Sequence, residues 1–283
     1  MNTSSTTAAP LFRSRWARFA AVAGPGLVVM LADTDAGSII TAAQSGAQWG
    51  YSLLLLQAIL IPILFVVQEL TVRLGIVTGQ GHGRGIQQHF GPVWARISVG
   101  TLLLACVGAL VSELSGIAGV GALVGIPAWQ SMAVVVVGLV AMAYTGSYLT
   151  VERIALAVGM FEFVFLLVAW KAQPEAHQLV SGAMSMPLHD TKYLYLIAAN
   201  IGAVIMPWMV FYQQSAVVEK GLTIDDLPAA RWDTAVGAVV TQLIMGAVLV
   251  ATAATIGRAG NGQSLDTVQQ IAQAITPFLG ERT

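Results

Sequence analysis

Residues 32–38 read ADTDAGS and lie in the middle of a long apolar segment that runs from residue 18 to residue 45. The two carboxylates, Asp33 and Asp35, therefore fall where a helix would cross the centre of a bilayer. An ionisable side chain at that depth costs roughly 3 kcal/mol, so such residues usually have a function. Gly37 leaves the neighbouring backbone free to depart from helical geometry. The stretch predicts a membrane-spanning helix that is interrupted near its centre.

The composition of the whole chain agrees with a protein embedded in a membrane. Of its 283 residues, 56% are hydrophobic and 10% are charged, whereas about 25% of the residues in soluble domains are charged. The formal net charge is −1, without a basic stripe, so nucleic acid is not an expected partner. Cys106 is the only cysteine, which excludes a disulfide scaffold. The predicted fold class is an all-α, multi-pass membrane protein.

Seven apolar segments are long enough to cross a bilayer, which takes roughly 20 residues. The segments are residues 18–45, 51–73, 97–124, 129–147, 152–171, 193–217 and 233–256. If the N-terminus is cytoplasmic, nine of the 13 Lys and Arg residues lie on the cytoplasmic side and four on the other side. This bias follows the positive-inside rule. We therefore expect an integral protein of the plasma (inner) membrane with a cytoplasmic N-terminus.

The sixth segment contains a second interruption, at Met206, Pro207 and Trp208. A proline has no backbone N–H and clashes with the preceding helical turn, so carbonyl groups near Ala203 lose their helical hydrogen bonds. The interrupted first and sixth helices lie five spans apart, as a five-helix inverted repeat would place them. Free carbonyls beside the Asp35 carboxylate would form a site for a cation.

Each of these signals also has a purely structural interpretation. Proline kinks are common in membrane helices and often have no further role. Glu113 and Glu162, inside the third and fifth spans, could be buried polar groups that pair with each other. Asp35 is the hardest residue to explain structurally, because it lies at mid-membrane beside an interruption.

At these residues the chain resembles the NRAMP family of divalent metal transporters. That family carries Asp-Pro-Gly-Asn in its first helix and Met-Pro-His in its sixth, where this chain has DAGS at residues 35–38 and MPW at residues 206–208. The surroundings match as well, at residues 24–26, 45–51, 73–79, 202–203 and 231–233. The resemblance covers nearly the whole chain after residue 20. It implies an inverted-repeat (LeuT-type) transporter core.

The resemblance also implies which residues hold the metal ion. Five positions match the family's ligands or the carbonyls beside its two breaks: Asp35, Ser38, Ala203, Met206 and Ala32. Three more are expected along the ion path or around the ligands: Asp33, Glu113 and Trp208. The carboxylate would neutralise part of the divalent charge, and the soft thioether of Met206 favours transition metals over Ca²⁺ and Mg²⁺.

Departures from the family's pattern bear on the substrate. Ser38 replaces the Asn and leaves more room for water, and Trp208 replaces the His. A second acidic position in the third helix reads Gly116. The lost residues are associated with proton movement in the family, so we expect weak or absent proton coupling. The changes resemble a divergent NRAMP-related branch that includes magnesium transporters, and Mg²⁺ keeps several waters when it binds. Met206 argues for a transition metal instead.

The resulting hypothesis is a divalent cation transporter, of Mn²⁺ and Fe²⁺ or of Mg²⁺, that works by alternating access and is not an enzyme. A sodium-coupled amino-acid carrier of the same architecture is one alternative, in which the amine of the substrate would meet Asp35. An inactive or non-transporting membrane subunit is another, because fewer spans are present than the family usually has.

The expected domain organisation follows from the predicted spans and from the resemblance to the NRAMP family. The family usually has ten or more spans, so we expect a C-terminally truncated chain. The expected parts are a disordered cytoplasmic N-terminus at 1–16, a first five-helix repeat at 17–171, an extracytoplasmic loop at 172–192, the first two helices of the second repeat at 193–256, and an extracytoplasmic amphipathic segment at 257–283. The expected partners are a divalent metal ion and the lipid bilayer, with no obligate protein partner and no cofactor besides the transported metal.

Overall fold

The computed structural model describes residues 24–144, 148–257, 265 and 267–279. Within these ranges all regular structure is helical, and no β-strand occurs. The expected N-terminal segment at residues 1–16 lies outside the described residues, as do parts of the first and fourth predicted spans.

Thirteen α-helices follow one another along the described residues. They are α1 (Pro25–Ala32), α2 (Ala36–Trp49), α3 (Leu54–Thr78), α4 (His82–Phe90), α5 (Pro92–Leu123), α6 (Ala128–Tyr144), α7 (Tyr148–Gly159), α8 (Val164–Lys171), α9 (Ala176–Ala183), α10 (Thr191–Val204), α11 (Pro207–Glu219), α12 (Leu227–Thr252) and α13 (Val268–Leu279). A 3-10 turn at Met160–Phe163 joins α7 to α8, and a π-helical turn at Ala253–Gly257 extends α12.

Five helical stretches are long and apolar enough to cross a membrane. They are Leu54–Thr78, Pro92–Leu123, Thr150–Lys171, Thr191–Glu219 and Ile224–Gly257. The pair α1 and α2 makes a sixth span with a bend of 56° between its halves. The fourth predicted span, residues 129–147, corresponds to α6, which is apolar but has only 17 described residues.

Both predicted helix interruptions are confirmed, with a correction to the first. The first break is a three-residue turn at Asp33, Thr34 and Asp35. Gly37 lies in the first turn of α2, so its backbone freedom is not what interrupts the helix. The second break is shorter and consists of Ile205 and Met206, between α10 and α11.

Helix α12 lies at the centre of the bundle and packs against α1, α2 and α3. Small residues allow this close approach, as is usual between membrane helices. At Gly46 of α2, an added Cβ would lie 2.2 Å from both the Leu249 carbonyl oxygen and the Thr252 hydroxyl. A Cβ added to Gly237 of α12 would lie 2.6 Å from the Met30 side chain. Helix α12 therefore supports both halves of the broken first helix.

The C-terminal residues that were expected to form an amphipathic segment contain α13. Two apolar side chains of this region, Leu265 and Ile271, are buried against the alanines of α2 at Ala42, Ala43 and Ala47. This part of the segment is therefore packed into the protein core, and its apolar side is not free to face lipid.

Candidate metal-binding site

Asp35 begins the second half of the first helix. Its backbone is extended, and its carboxylate accepts a hydrogen bond of 2.7 Å from the backbone N–H of Ser38. This is an N-cap, which satisfies one of the free N–H groups at a helix start. Asp35 is half-buried. The cap fixes the carboxylate at the break and leaves part of it accessible.

Side chains from three other elements contact the first break or the residues beside it. The N–H of Ala36 donates to the carboxylate of Glu113 in α5, at 3.1 Å. The Thr241 hydroxyl of α12 donates to the carbonyl oxygen of Met30. The Thr34 hydroxyl contacts the carboxylate of Glu162, which lies on the 3-10 turn before α8. The turn is therefore a supported structure and not a simple kink.

A hydrogen bond links the two broken helices close to their breaks. The Ser38 hydroxyl donates to the carbonyl oxygen of Ala203, at 3.3 Å, and Ser38 is 1% exposed. The residue four positions after Ala203 is Pro207, which has no N–H to offer that carbonyl. The structure thus brings together Asp35, Ser38 and Ala203, three of the five residues that the sequence assigned to the metal.

A cavity of about 500 Å³ opens beside the first break. Its lining includes Ala32, Asp35 and Trp208 from the predicted set. Glu113 and Glu162 line it as well, so carboxylates from three separate elements face one space. None of the described residues that line the cavity is basic. An unbalanced negative charge of this kind favours a cation.

Four of the eight predicted residues do not line the cavity: Ser38, Ala203, Met206 and Asp33. Met206 is half-buried in an apolar cluster with Val29 and Met30, and it does not line the cavity. Asp33 is 1% exposed, and neither of its carboxylate oxygens has a hydrogen-bond partner among the described residues. Asp33 does not line the cavity either, although the carboxylates of Asp35 and Glu162 act on it electrostatically.

The carboxylates of the cavity are spread around its wall. Among the described residues, no three side chains of His, Cys, Asp or Glu come close enough together to hold a metal ion. A cation here would therefore complete its coordination with backbone carbonyls and water, as hard divalent cations commonly do. The Ala203 carbonyl, which has no N–H donor at residue 207, is one candidate for such a ligand.

A buried polar network beneath the site was missed from the sequence. Asn200 of α10 is fully buried and donates to the hydroxyl of Ser45, at 2.9 Å. Its side-chain oxygen accepts from Gln57, at 2.7 Å. These bonds tie α10 to α2 and α3. The available signal was an asparagine inside an apolar helix, since polar amides commonly join membrane helices.

A second missed residue, Asp233 of α12, anchors the start of α1. Its carboxylate accepts hydrogen bonds from the N–H groups of Gly24, at 3.2 Å, and Gly26, at 2.7 Å. A Cβ on Gly26 would lie 2.7 Å from this carboxylate, so the contact requires glycine. The sequence pattern at residues 24–26 and 231–233 pointed to these positions but not to their pairing.

The fold and the site together define a helical membrane protein in which two broken helices meet beside a carboxylate-lined cavity. Comparison with known proteins identifies its family. Residues 26–283 match the family described as natural resistance-associated macrophage protein-like, Nramp. The chain belongs to this family and is an integral membrane protein.

Similar proteins include two bacterial relatives with the name divalent metal cation transporter MntH. The one from Ralstonia nicotianae is 28% identical over 282 residues, which is 94% of this chain and 62% of the relative. The one from Aeromonas hydrophila is 26% identical over 270 residues, which is 91% of this chain and 65% of the relative. This chain therefore spans less than two thirds of the length of these relatives.

The fold is also similar to that of solved structures. The manganese transporter of Eremococcus coleocola, in one of its point-mutant forms, superimposes with a TM-score of 0.75 at 20% sequence identity. The match covers 95% of this chain and 61% of that one. The predicted fold class, an all-α multi-pass transporter core with broken first and sixth helices, is confirmed.

Proposed function

We propose that this chain is the main part of a transporter that moves a divalent metal cation across the membrane by alternating access. The observation that carries the proposal is the bond between Ser38 and Ala203, which joins the two breaks beside a cavity lined by carboxylates. Relatives with the name divalent metal cation transporter support the substrate class.

Asp35 is the main ligand in this proposal. Its carboxylate faces the cavity, while the Ser38 hydroxyl and the Ala203 carbonyl meet at the neighbouring break. Ala32 lines the same cavity at the end of α1, where helix carbonyls have no partner within the helix. These are oxygen ligands, which suit Mg²⁺ and Mn²⁺ alike.

Met206 decides between the two metals. Its thioether packs among apolar side chains, so in this proposal it becomes a ligand only if the side chain turns towards Asp35. With Met206 turned away, the site is made of oxygen atoms and accepts a hydrated Mg²⁺ as well as Mn²⁺. With Met206 bound, the site favours Mn²⁺ or Fe²⁺.

Weak or absent proton coupling is part of the proposal. Trp208 lines the cavity and cannot carry a proton at this position. Protein residues supply all the groups involved, and no further cofactor is needed. The relatives are named as transporters, which agrees with a protein that does not act as an enzyme.

The proposed orientation places the N-terminus in the cytoplasm of a plasma membrane protein, with transport directed inward. Glu69, near the cytoplasmic end predicted for α3, pairs with Arg73 at 2.7 Å and with Arg231 at 3.0 Å. Lys220 and Glu152 form a further ion pair at 2.9 Å. Basic residues at this end agree with the positive-inside rule.

Uptake of Mn²⁺ and Mg²⁺ into proteoliposomes tests the proposal. Asp35→Asn keeps a side chain that can cap α2, so the fold is preserved while the charge is lost. We expect uptake of both metals to fall by about a hundredfold, or about 2.7 kcal/mol. The matched control is Asp225→Asn, at an exposed carboxylate outside the site, with uptake unchanged. Normal uptake by Asp35→Asn would show that the proposed site is wrong.

The same proteoliposomes also test which metal is preferred, whether protons are coupled to uptake, and the two alternative functions. Met206→Ala lowers Mn²⁺ uptake and spares Mg²⁺ if the thioether is a ligand, and it leaves both unchanged if it is not. Internal pH recorded during uptake measures proton coupling. Competition by amino acids in the presence of Na⁺ would favour an amino-acid carrier, and absence of any flux in the wild type would favour a non-transporting subunit.

A further inference from the structure

Glu162 is a carboxylate of the cavity that neither the sequence-based ligand set nor the proposed site includes. It lies on the 3-10 turn Met160–Phe163, which interrupts the regular helix within the span Thr150–Lys171. Its side chain lines the same cavity as Asp35 and Glu113. A carboxylate inside a membrane span is costly unless it has a role.

Glu162 also reaches the first break directly. Its carboxylate contacts the hydroxyl of Thr34, the middle residue of the three-residue turn. The adjacent residue in the chain is Asp35, which we propose as the main ligand. The fifth span is thereby connected to the position where the cation would bind.

The charges around this contact are all of one sign. Asp35, Glu113 and Glu162 line the cavity, Asp33 is buried without a hydrogen-bond partner among the described residues, and no basic side chain is part of the described lining. At equal distance, a carboxylate attracts a doubly charged cation with twice the Coulomb energy of a singly charged one. A cavity of about 500 Å³ also leaves room for water around the ion.

We propose that Glu162 is a specificity-determining residue, whose negative charge makes the cavity prefer doubly charged over singly charged cations. The inference rests on the proposed function and adds to it a residue of the fifth span. Glu162 acts on the ion across the cavity, and its carboxylate is in contact with Thr34.

Two variants separate the charge of Glu162 from its structural contact. Glu162→Gln removes the charge but keeps an oxygen that accepts the Thr34 hydrogen bond. Thr34→Val removes the hydroxyl and keeps the carboxylate. Glu219→Gln is the matched control, because Glu219 is exposed at the far end of α11. If Glu162 acts through its charge, Glu162→Gln should change the preference among cations and Thr34→Val should not. If its role is structural, Thr34→Val should have the effect and Glu162→Gln should not.

Cys106 offers a direct measure of the charge in the cavity. It is the only cysteine of the chain and it lines the cavity. In nanodiscs, its rates of reaction with a cationic trimethylammonium thiosulfonate and an anionic sulfonate analogue are compared. We expect the ratio of cationic to anionic rates to fall about tenfold in Glu162→Gln, because local potential sets local reagent concentration. Thr34→Val and Glu219→Gln should remain within about twofold of the wild-type ratio.

Transport kinetics give the second measure. In proteoliposomes with Mn²⁺ and with Mg²⁺, we expect Glu162→Gln to raise KM about tenfold while the maximal rate stays within about twofold. The ratio of the K⁺ inhibition constant to the KM for the divalent metal should fall in the same variant, because the lost charge weakens K⁺ binding less than divalent binding. Glu219→Gln should match the wild type.

The outcomes distinguish this inference from the proposed function. If the wild type moves no divalent metal, the proposed function fails. If the wild type transports and Asp35→Asn does not, but Glu162→Gln has wild-type KM and reagent ratio, only the role of Glu162 is refuted. Loss of transport in Thr34→Val with normal Glu162→Gln would likewise assign Glu162 a structural role.

Discussion

The broken first helix and the broken sixth helix differ in what interrupts them. In the first, a turn of three residues bends the two halves by 56°. Side chains of α5 and α12 bind backbone groups on either side of the turn, and Glu162, before α8, contacts the Thr34 hydroxyl. In the sixth, only Ile205 and Met206 depart from the helix, and α10 and α11 together still form one apolar span. One break is supported by neighbouring elements, and the other is built into the chain by Pro207.

The difference assigns different parts of the site to the two helices. Polar neighbours at the first break surround Asp35, so this helix contributes the charge. Apolar neighbours surround the second break, where Met206 packs with Val29 and Met30. The sixth helix therefore contributes mainly a backbone carbonyl, that of Ala203.

The largest predicted effect concerns how tightly the two broken helices are packed. An added Cβ on Gly46, in the first helix, would lie 2.2 Å from the backbone of α12, whereas Gly202, in the sixth, has nothing within 4 Å among the described residues. We expect Gly46→Ala to destabilise the protein by about 3 kcal/mol, because overpacking forces α2 away from α12. The midpoint of thermal unfolding in detergent measures the loss.

Gly202→Ala is the matched substitution in the sixth helix. Alanine is a better helix former than glycine by roughly 0.5–1 kcal/mol, so the variant should be as stable as the wild type or slightly more stable. Equal destabilisation by the two substitutions would mean that the first helix is not the more tightly packed of the two.

The contrast between the breaks also explains what could be predicted from the sequence. Pro207 acts locally, so the interruption of the sixth helix and the free carbonyl of Ala203 followed from the residue type alone. The first break depends on Thr241, Glu113 and Glu162, which are distant in the chain. Its position at residues 33–35 therefore required the structure, and Gly37 was the wrong explanation for it.

The candidate ligands were likewise predictable only in part from the sequence. Family resemblance indicated Asp35, Ser38 and Ala203, and the structure places all three together. It also indicated Met206, but side-chain packing turns that residue into an apolar cluster, which no motif records. Asn200 and Asp233 stabilise the site through contacts across the bundle, and such pairings depend on how the helices pack.

Replacing Pro207 removes the local cause of the interruption in the sixth helix. Pro207→Ala restores an N–H that can donate to the Ala203 carbonyl and competes with the Ser38 hydroxyl for it. We expect KM for Mn²⁺ to rise about tenfold, or about 1.4 kcal/mol, with thermal stability equal to or above that of the wild type. Metal uptake in proteoliposomes and a thermal melt measure the two quantities.

Pro62→Ala provides the control for this change. Pro62 lies inside α3 and is exposed, so its removal also restores a helical N–H but does so away from the site. Uptake should remain at the wild-type level. A similar rise in KM for both proline variants would mean that general helix stiffness, and not the Ala203 carbonyl, controls binding.

The smallest effect is expected at the hydrogen bond between Ser38 and Ala203. Ser38→Ala removes the donor to Ala203 but keeps the backbone N–H that binds Asp35. A hydrogen bond of this kind contributes about 1 kcal/mol, so KM should rise about fivefold, less than for Pro207→Ala. Ser38→Thr retains the hydroxyl and should recover most of the loss, whereas Ser115→Ala, an exposed serine bonded only within α5, should change nothing. If Ser38→Ala has the larger effect of the two, then the first helix provides a ligand through Ser38 itself, and the free carbonyl of the sixth helix is secondary.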